Sequence, residues 1–396
     1  MEFNRSFPNV VHLDINSCFA TVEQQANPLL RDKPVVVAAY TTNSGCILAA
    51  SVTAKKLGIK TGMRVIDAKR IYPKVFVLEP DPPKYRFVHK KILKILKSYS
   101  DKVIPKSIDE FVFKVPNGII PFNVSLEIKE RIKKEVGEYI TVSIGISTNR
   151  YLAKIASNLK KPDGLCEINK DNIEEIFSRL KLTYLTGIKA GNSNRLKLYG
   201  IKTVLDFYHA PVWKLKLAFG GIGGLYWHLR LHGMEIDDFK SKRGIIGNSF
   251  APPPKNANQI LKILSKLSQK TGIRLRSANL KASGVHLFLQ SRDGVSWHMG
   301  RKIGKDIFDS NDIFRELVKL LELSPIKENI RNIAISTFKL KSKRSLQLEI
   351  FEDVIRKEEL NKSIDAINKR YGDYTVYSAR MILSSDIAKD RIAFGR

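Results

Sequence analysis

Cysteine is scarce in this chain of 396 residues. Cys18, Cys46 and Cys166 stand far apart and form no C-x-x-C pair. That excludes a disulfide framework and argues against a zinc site. No apolar run reaches the ~18 residues that a spanning helix needs. The first residues lack a basic segment followed by an apolar one, so the expected location is the cytoplasm. No repeat of fixed period and no low-complexity tract is found. Acidic residues are also in short supply: 39 Asp and Glu face 68 Lys and Arg, a net charge of +29. An excess of that size calls for a polyanionic partner, either nucleic acid or an anionic membrane.

What is present is otherwise ordinary. Hydrophobic residues make up 43% and charged residues 27%, enough to build full cores, and the length allows several domains. The charge is uneven. Residues 239–344 carry 22 Lys and Arg against 7 Asp and Glu, while residues 345–396 carry 9 of each. The basic residues spread over several segments, including strands. That distribution fits a nucleic-acid surface better than a basic amphipathic membrane helix.

Periodicity gives a coarse map. Val10–Asn16 and Pro34–Ala39 read as buried strands. Leu48–Leu57 reads as a short helix ending at Gly58, and Phe87–Tyr99 as an amphipathic helix. Val103–Val115 reads as two strands around a polar turn. Leu126–Val136 follows as a helix, Thr141–Ile146 as a strand and Tyr151–Leu159 as a helix. These make an α+β core with helices on a mainly antiparallel sheet. After Lys160–Gly164 the chain turns helical through residue 237, with glycines at Gly187, Gly191 and Gly200 where a helix–hairpin–helix would turn. Asp237–Arg243 reads as a charged linker. Residues 245–340 follow a βαββαβ pattern: strand Ile245–Ala251, helix Ala257–Thr271, strands Ala282–Gln290 and Gly294–Gly300, helix Asp312–Glu322, strand Ile330–Leu340. A helix over Lys357–Tyr371 and a strand over Thr375–Leu383 complete the map.

Three acids stand beside apolar strands. Asp14 ends the first, and Asp109 and Glu110 lie in Ser107-Ile-Asp-Glu-Phe111. Buried carboxylates are costly unless neutralised. Three of them meeting from a strand and a neighbouring hairpin would make a hard oxygen cluster suited to Mg²⁺, and Mg²⁺ brings phosphates. The plainer reading makes Asp14 a helix N-cap and Asp109 and Glu110 turn residues. Spacing alone leaves both open.

Six ordered strings bear on the choice: His12-Leu-Asp14-Ile-Asn-Ser-Cys-Phe19-Ala-Thr-Val-Glu23, Arg31-Asp-Lys-Pro-Val-Val-Val37, Ala54-Lys-Lys-Leu-Gly-Ile-Lys-Thr-Gly62, Ser107-Ile-Asp-Glu110, Val142-Ser-Ile-Gly-Ile-Ser147, and Ala153-Lys-Ile-Ala-Ser with Lys161-Pro-Asp-Gly164. Together they resemble the Y-family translesion DNA polymerases, of the polymerase IV and polymerase V types, from residue 8 to about 340. The resemblance implies an α+β multidomain right-hand polymerase. Its parts would be a ferredoxin-like palm (8–18 and 81–167), small fingers (19–80), a helix–hairpin–helix thumb (168–237), a linker (238–249), a βαββαβ little finger (250–344) and a tail (345–396). Asp14, Asp109 and Glu110 would bind two Mg²⁺ with the Ile15 carbonyl. Backbone N–H groups of Ser17 and Cys18 would hold phosphate oxygens. Phe19 would exclude a ribose 2′-hydroxyl, and Lys161 would reach the triphosphate as a point charge. The chain departs from the pattern where many members carry a Thr or Ser, a Tyr and an Arg. It has Ala49, Val52 and Lys55 there, so weaker nucleotide binding is expected, with Ser51 or Thr53 as nearby substitutes.

For DNA, the hairpin residues Gly187, Lys189 and Gly191 would meet phosphates. The basic domain would offer Lys281, His286, Arg292, Trp297, His298, Arg301 and Lys302 without reading bases. Gln347-Leu348-Glu-Ile350-Phe351 is similar to peptides that dock on the bacterial sliding clamp, with Leu348, Ile350 and Phe351 filling an apolar groove and Gln347 bonding its edge. The expected activity is template-directed addition of dNTPs to a primer 3′-end by a monomer, without proofreading. The rivals are another palm-fold nucleotidyltransferase such as a cyclase, and a catalytically weak DNA- and clamp-binding damage factor.

Overall fold

The computed structural model describes residues 2–237, 244–250, 257–342 and 354–382. The chain forms two compact units that divide between Lys240 and Ser241. Among the described residues no helix is long and apolar enough to cross a membrane.

The first unit begins with β1 (Val10–Ile15), α1 (Cys18–Ala26), β2 (Val35–Ala38), β3 (Ile47–Ala50), α2 (Val52–Lys56), α3 (Val65–Ile71), β4 (Phe76–Leu78) and α4 (Pro82–Lys97). It continues with β5 (Ile104–Pro105), β6 (Glu110–Lys114), α5 (Pro121–Glu135), β7 (Val142–Ser147), α6 (Arg150–Leu159) and β8 (Leu165–Glu167). One sheet has the order β5-β6-β1-β7-β8, antiparallel except for its β7–β8 edge. Strand β1 lies in its middle, which is why almost every residue in it is buried. Val11, Leu13 and Ile15 pack with Val22, Ile92 and Ile128 of α1, α4 and α5. The alternate residues Val10, His12 and Asp14 face the other way, where Val10 meets Ala153 of α6. Gly145 stands opposite His12 on β7. A Cβ there would sit 2.0 Å from the Ala153 carbonyl oxygen, so its absence lets the α6 backbone lie directly on the sheet.

Two expectations change here. Strand β2 belongs to a separate three-stranded sheet, β3-β2-β4, and not to the central one. Residues Leu48–Leu57 are not one helix. Ile47–Ala50 pairs with β2, and Ser51 then accepts the Ala54 N–H and caps a five-residue helix. The small Ala49 and Ala50 suit a sheet packed close to α1 and hide the break in pattern.

The helical part holds α7 (Ile173–Ser178), α8 (Ala190–Leu198), α9 (Val204–His209), α10 (Val212–Phe219) and α11 (Ile222–Leu231). Thr203 and Asp206 form a capping box at the start of α9. Phe207, Phe219 and Trp227 stack together at 5.7–5.9 Å between centroids. Nearby, the buried His232 stacks on Tyr208 at 4.4 Å, and its Nδ1 lies 2.8 Å from the His228 carbonyl oxygen.

The second unit holds β9 (Ile245–Phe250), α12 (Ala257–Ser277), β10 (Leu280–Ser291), β11 (Ser296–Ile307), α13 (Ser310–Glu322), β12 (Ile330–Ser342) and α14 (Val354–Tyr371). Its sheet has the order β11-β10-β12-β9, and α12 and α13 share a core with Leu287, Leu289 and Ile333. Helix α14 is fixed to this unit by polar groups. The Arg276 guanidinium grips Asp365 at 2.6 and 2.8 Å, Asn361 donates to Asp309 at 2.9 Å, and Lys357 donates to Asp312 at 2.9 Å. The strand expected over Thr375–Leu383 is not formed in its described part. Asn368 holds both the N–H and the carbonyl of Val376, and a short 3₁₀ turn follows at Ala379–Met381. These side-chain bonds take the backbone groups a sheet partner would need. Residues 347–351 and residues 238–243 of the linker lie outside the described residues.

Burial pushes the His232 ring down to about 4 from 6.5. The unfolded chain gains a proton here as pH falls through 6.5, and the folded chain does not until about 4. The first unit should lose on the order of 2 kcal/mol across that window. Urea titrations should show this loss, and His232→Phe should flatten it. An unchanged slope in the variant would contradict the assignment.

Candidate active site

The antiparallel pairing of β1 with β6 sets Asp14 directly opposite Glu110. Such partners lie on one face of a sheet, with Cβ atoms about 5 Å apart. Ser143 of β7 flanks Asp14 on the other side. Asp109 sits just before β6, and its carbonyl accepts the Ile15 N–H at 2.9 Å. Asp14 is thus a strand residue and not a helix cap, since Ser17, at φ 50°, is the N-cap of α1.

Ser107 orders the two neighbouring acids. Its hydroxyl donates to Asp109 Oδ1 at 2.5 Å and accepts the Glu110 N–H at 3.1 Å. Burial raises the Asp109 carboxyl above its usual range, and the charges of Asp14 and Glu110 add to this against the Ser107 bond. Glu110 behaves oppositely. Burial would raise it, but His12 and Lys154 outweigh that and hold it at about 2. Lys154 of α6 donates to both Glu110 oxygens, at 2.7 and 2.8 Å. Lys161 places Nζ 2.8 Å from Asp14 Oδ1.

The donor set is all hard oxygen, and two of its three acids already hold a cation. In kind it fits a divalent ion of the Mg²⁺ class. Among the described residues, no three such side chains are spaced to hold an ion as they stand. Asp14 faces Glu110 across β1 and β6, and Lys154 holds the Glu110 carboxylate.

A cavity of about 660 Å³ opens beside these acids. Asp14, Asp109, Ile15 to Phe19, Lys55 and Lys161 line it, and Ala49 and Val52 form part of its apolar wall. Lys55 Nζ donates to Ser17 Oγ at 2.8 Å, and burial, then the charge of Lys161, lowers its pKa. Phe19 is 8% exposed and stacks on Tyr85 at 4.4 Å with 10° between the rings. Tyr85 in turn donates to Glu23 at 2.9 Å, and Glu23 pairs with Lys84 at 2.6 Å. The ring is therefore rigidly backed.

Ser51 is not a substitute ligand. It is fully buried and already bonds Val35 N–H, Ala54 N–H and the Lys33 carbonyl. Neither it nor Thr53 lines the cavity, whereas Lys56 and Thr61 do. Sequence reasoning missed those two, and it missed Lys154 and Tyr85. The Tyr85 phenol carried no visible signal. Lys154 was in plain sight in the Ala153–Ser157 string, without a role.

The expected DNA contacts divide. Gly187, Lys189 and Gly191 are exposed, the first two in the turn before α8 and Gly191 in its first turn. A Cβ at Gly191 would meet nothing within 4 Å, so no packing demands that glycine. In the second unit His286, His298 and Lys302 share one sheet face with Gly284 and Gly300. His286 and His298 approach to 3.3 Å. Trp297 and Arg301 stand opposite the core residues Leu289 and Val285, and Trp297 packs against that core. Lys281 is 2% exposed, and Arg292 lies exposed in the β10–β11 turn. The sequence thus grouped residues that alternation separates.

A carboxylate-edged cavity on a central antiparallel sheet, with a separate four-stranded unit, is the arrangement of a palm-type polymerase. Residues 13–158 match the impB/mucB/samB family, and residues 242–350 match the impB/mucB/samB family C-terminal domain. DNA polymerase IV of Pelotomaculum thermopropionicum is 30% identical over 390 residues, 96% of each chain. DNA polymerase IV 1 of Bacillus subtilis is 29% identical over 381 residues, 92% of this chain and 90% of that one. Among solved structures, a Y-family DNA polymerase chimera of Dbh and Dpo4 has a TM-score of 0.74 at 24% identity, covering 84% of this chain and 99% of its own. The insertion ternary complex of Dbh DNA polymerase has a TM-score of 0.61 at 27% identity, with the same coverage. The chain belongs to the impB/mucB/samB family, the Y-family DNA polymerases.

Proposed function

We propose that this chain copies DNA across damaged templates, adding dNTPs to a primer 3′-hydroxyl by phosphoryl transfer without proofreading. The observation that carries the reading is Asp14 facing Glu110, with Asp109 beside them, at the rim of a nucleotide-sized cavity walled by Phe19 and by lysines. Residues 8–18 and 81–167 act as palm, 19–80 as fingers, 168–237 as thumb and 250–344 as little finger.

Asp14, Asp109, Glu110 and the Ile15 carbonyl would hold two Mg²⁺. Bound there, such ions would supply Lewis-acid activation of the 3′-hydroxyl and charge neutralisation for the triphosphate and the leaving pyrophosphate. The protein's own contribution is placement. Lys55 and Lys161 supply charge toward the phosphates, and Lys56 and Thr61 are at hand where Ala49 and Val52 offer no hydroxyl. Backbone N–H groups of Ser17 and Cys18 lie at the start of α1, where anions are favoured. Phe19, backed by Tyr85, stands as a wall to a 2′-hydroxyl. Lysines give point charges without the bidentate fork of arginine, so nucleotide is held loosely and with strong salt dependence. DNA is held through its backbone by the exposed turn Gly187–Gly191 and by the little finger, which suits a template with altered bases. The Gln347–Phe351 peptide serves as the clamp contact.

Primer extension with labelled DNA, dNTPs and Mg²⁺ should proceed with the native chain and stop in Asp109→Ala/Glu110→Ala. Extension by neither protein would favour a binding factor instead. Phe19→Ala should raise ribonucleotide incorporation about tenfold or more, the effect of removing one steric contact. Unchanged sugar selectivity would remove that role from Phe19. Deleting residues 347–351 should abolish pull-down by a bacterial clamp while leaving extension on short templates intact.

A further inference from the structure

Asn16 follows β1 by one residue and is 3% exposed. A buried amide must satisfy both a donor and an acceptor, and this one does. Its Nδ2 donates to Ser143 Oγ at 2.8 Å, and its Oδ1 accepts the Asp163 N–H at 2.8 Å. Ser143 Oγ, fully buried, also accepts the Gly164 N–H at 3.3 Å. Two successive amides of the Lys161–Gly164 loop are thereby tied to one side chain just after β1 and one in β7. Asn16 itself is fixed, because its N–H reaches the Thr141 carbonyl at 3.0 Å and its carbonyl accepts Thr21 Oγ1 at 2.6 Å. From the far side Lys129 and Lys133 of α5 pair with the Asp163 carboxylate at 3.1 and 3.3 Å. Lys161 lies two residues before this double tie, and its Nζ stands at Asp14.

We propose that Asn16 is a positioning residue that sets Lys161 toward the triphosphate. This rests on the polymerase reading above and on the role given there to Lys161. The choice of amide has a reason. An apolar side chain would forfeit both bonds. A carboxylate could keep them, with Ser143 donating instead, but it would add a fourth negative charge beside Asp14 and Asp109. The amide holds the loop and stays neutral.

The test is a double-mutant cycle read in steady-state extension, with KM for dNTP and kcat measured separately. Asn16→Leu and Ser143→Ala should each raise KM about tenfold, the worth of one or two buried hydrogen bonds, with kcat changed less than about threefold. In a Lys161→Ala background neither change should raise KM further, since the contact they serve is already gone. DNA affinity should be unaltered throughout. If Asn16→Leu does not fold, Ser143→Ala carries the cycle alone. Additive effects on KM, or a KM that ignores Asn16 and Ser143, would overturn the inference and leave the polymerase reading intact. An unchanged KM in Lys161→Ala alone would overturn the role of Lys161 and this inference with it.

Discussion

The pairing of one short strand with its neighbour carries the whole site. Because β1 runs antiparallel to β6 in the register Leu13 to Phe111, Asp14 must face Glu110. Neither acid can turn away, since the intervening residues are locked into apolar packing on the opposite side. Like charges held this close in a half-buried place are unfavourable unless cations attend them. Lys154 of α6 and Lys161 of the loop after it fill that need here, and Gly145 lets α6 lie directly against the sheet. Charge balance and backbone packing are therefore one constraint: widening the gap between α6 and β7 would also strand the carboxylates.

Much of this was legible in the residues. The apolar run Val10–Leu13 followed by an acid, and the polar turn before Phe111–Phe113, announced both strands and both acidic positions. The βαββαβ order of the second unit was readable because its strands are long and its helices strongly periodic. What escaped reading depended on direction and not on pattern. Ile47–Ala50 is too short and too small to declare itself a strand, and only pairing with Val36 and Val37 makes it one. Trp297 looked like a surface aromatic among basic residues, yet cross-strand register with Leu289 turns it inward. The partnership of Lys154 with Glu110 spans 44 positions, and no local signal spans that distance.

The nucleotide side of the cavity shows how a site can lose groups and keep its chemistry. Ala49 and Val52 leave an apolar wall without hydroxyls, as expected from the residues, and Ser51 is consumed by capping α2. The charges that remain are lysines on flexible stems, brought in from α2 and from the loop after α6. Rigidity comes from two pairs, Phe19 against Tyr85 and Asn16 against Ser143. The first frames the sugar side, and the second anchors the loop that carries Lys161.

Helix α14 reverses the usual arrangement of a surface helix. It buries Asn361 and Asn368, while Leu360 and Tyr371 are 59% and 66% exposed. Its attachment rests on directional bonds such as Arg276 to Asp365, and little oily surface is hidden beneath it. Peeling it away would therefore carry only a small heat-capacity change, so the enthalpy of its release should hardly vary with temperature. Ionic strength, by contrast, would act on it directly, loosening the helix under the same conditions that weaken the hold of a basic protein on DNA.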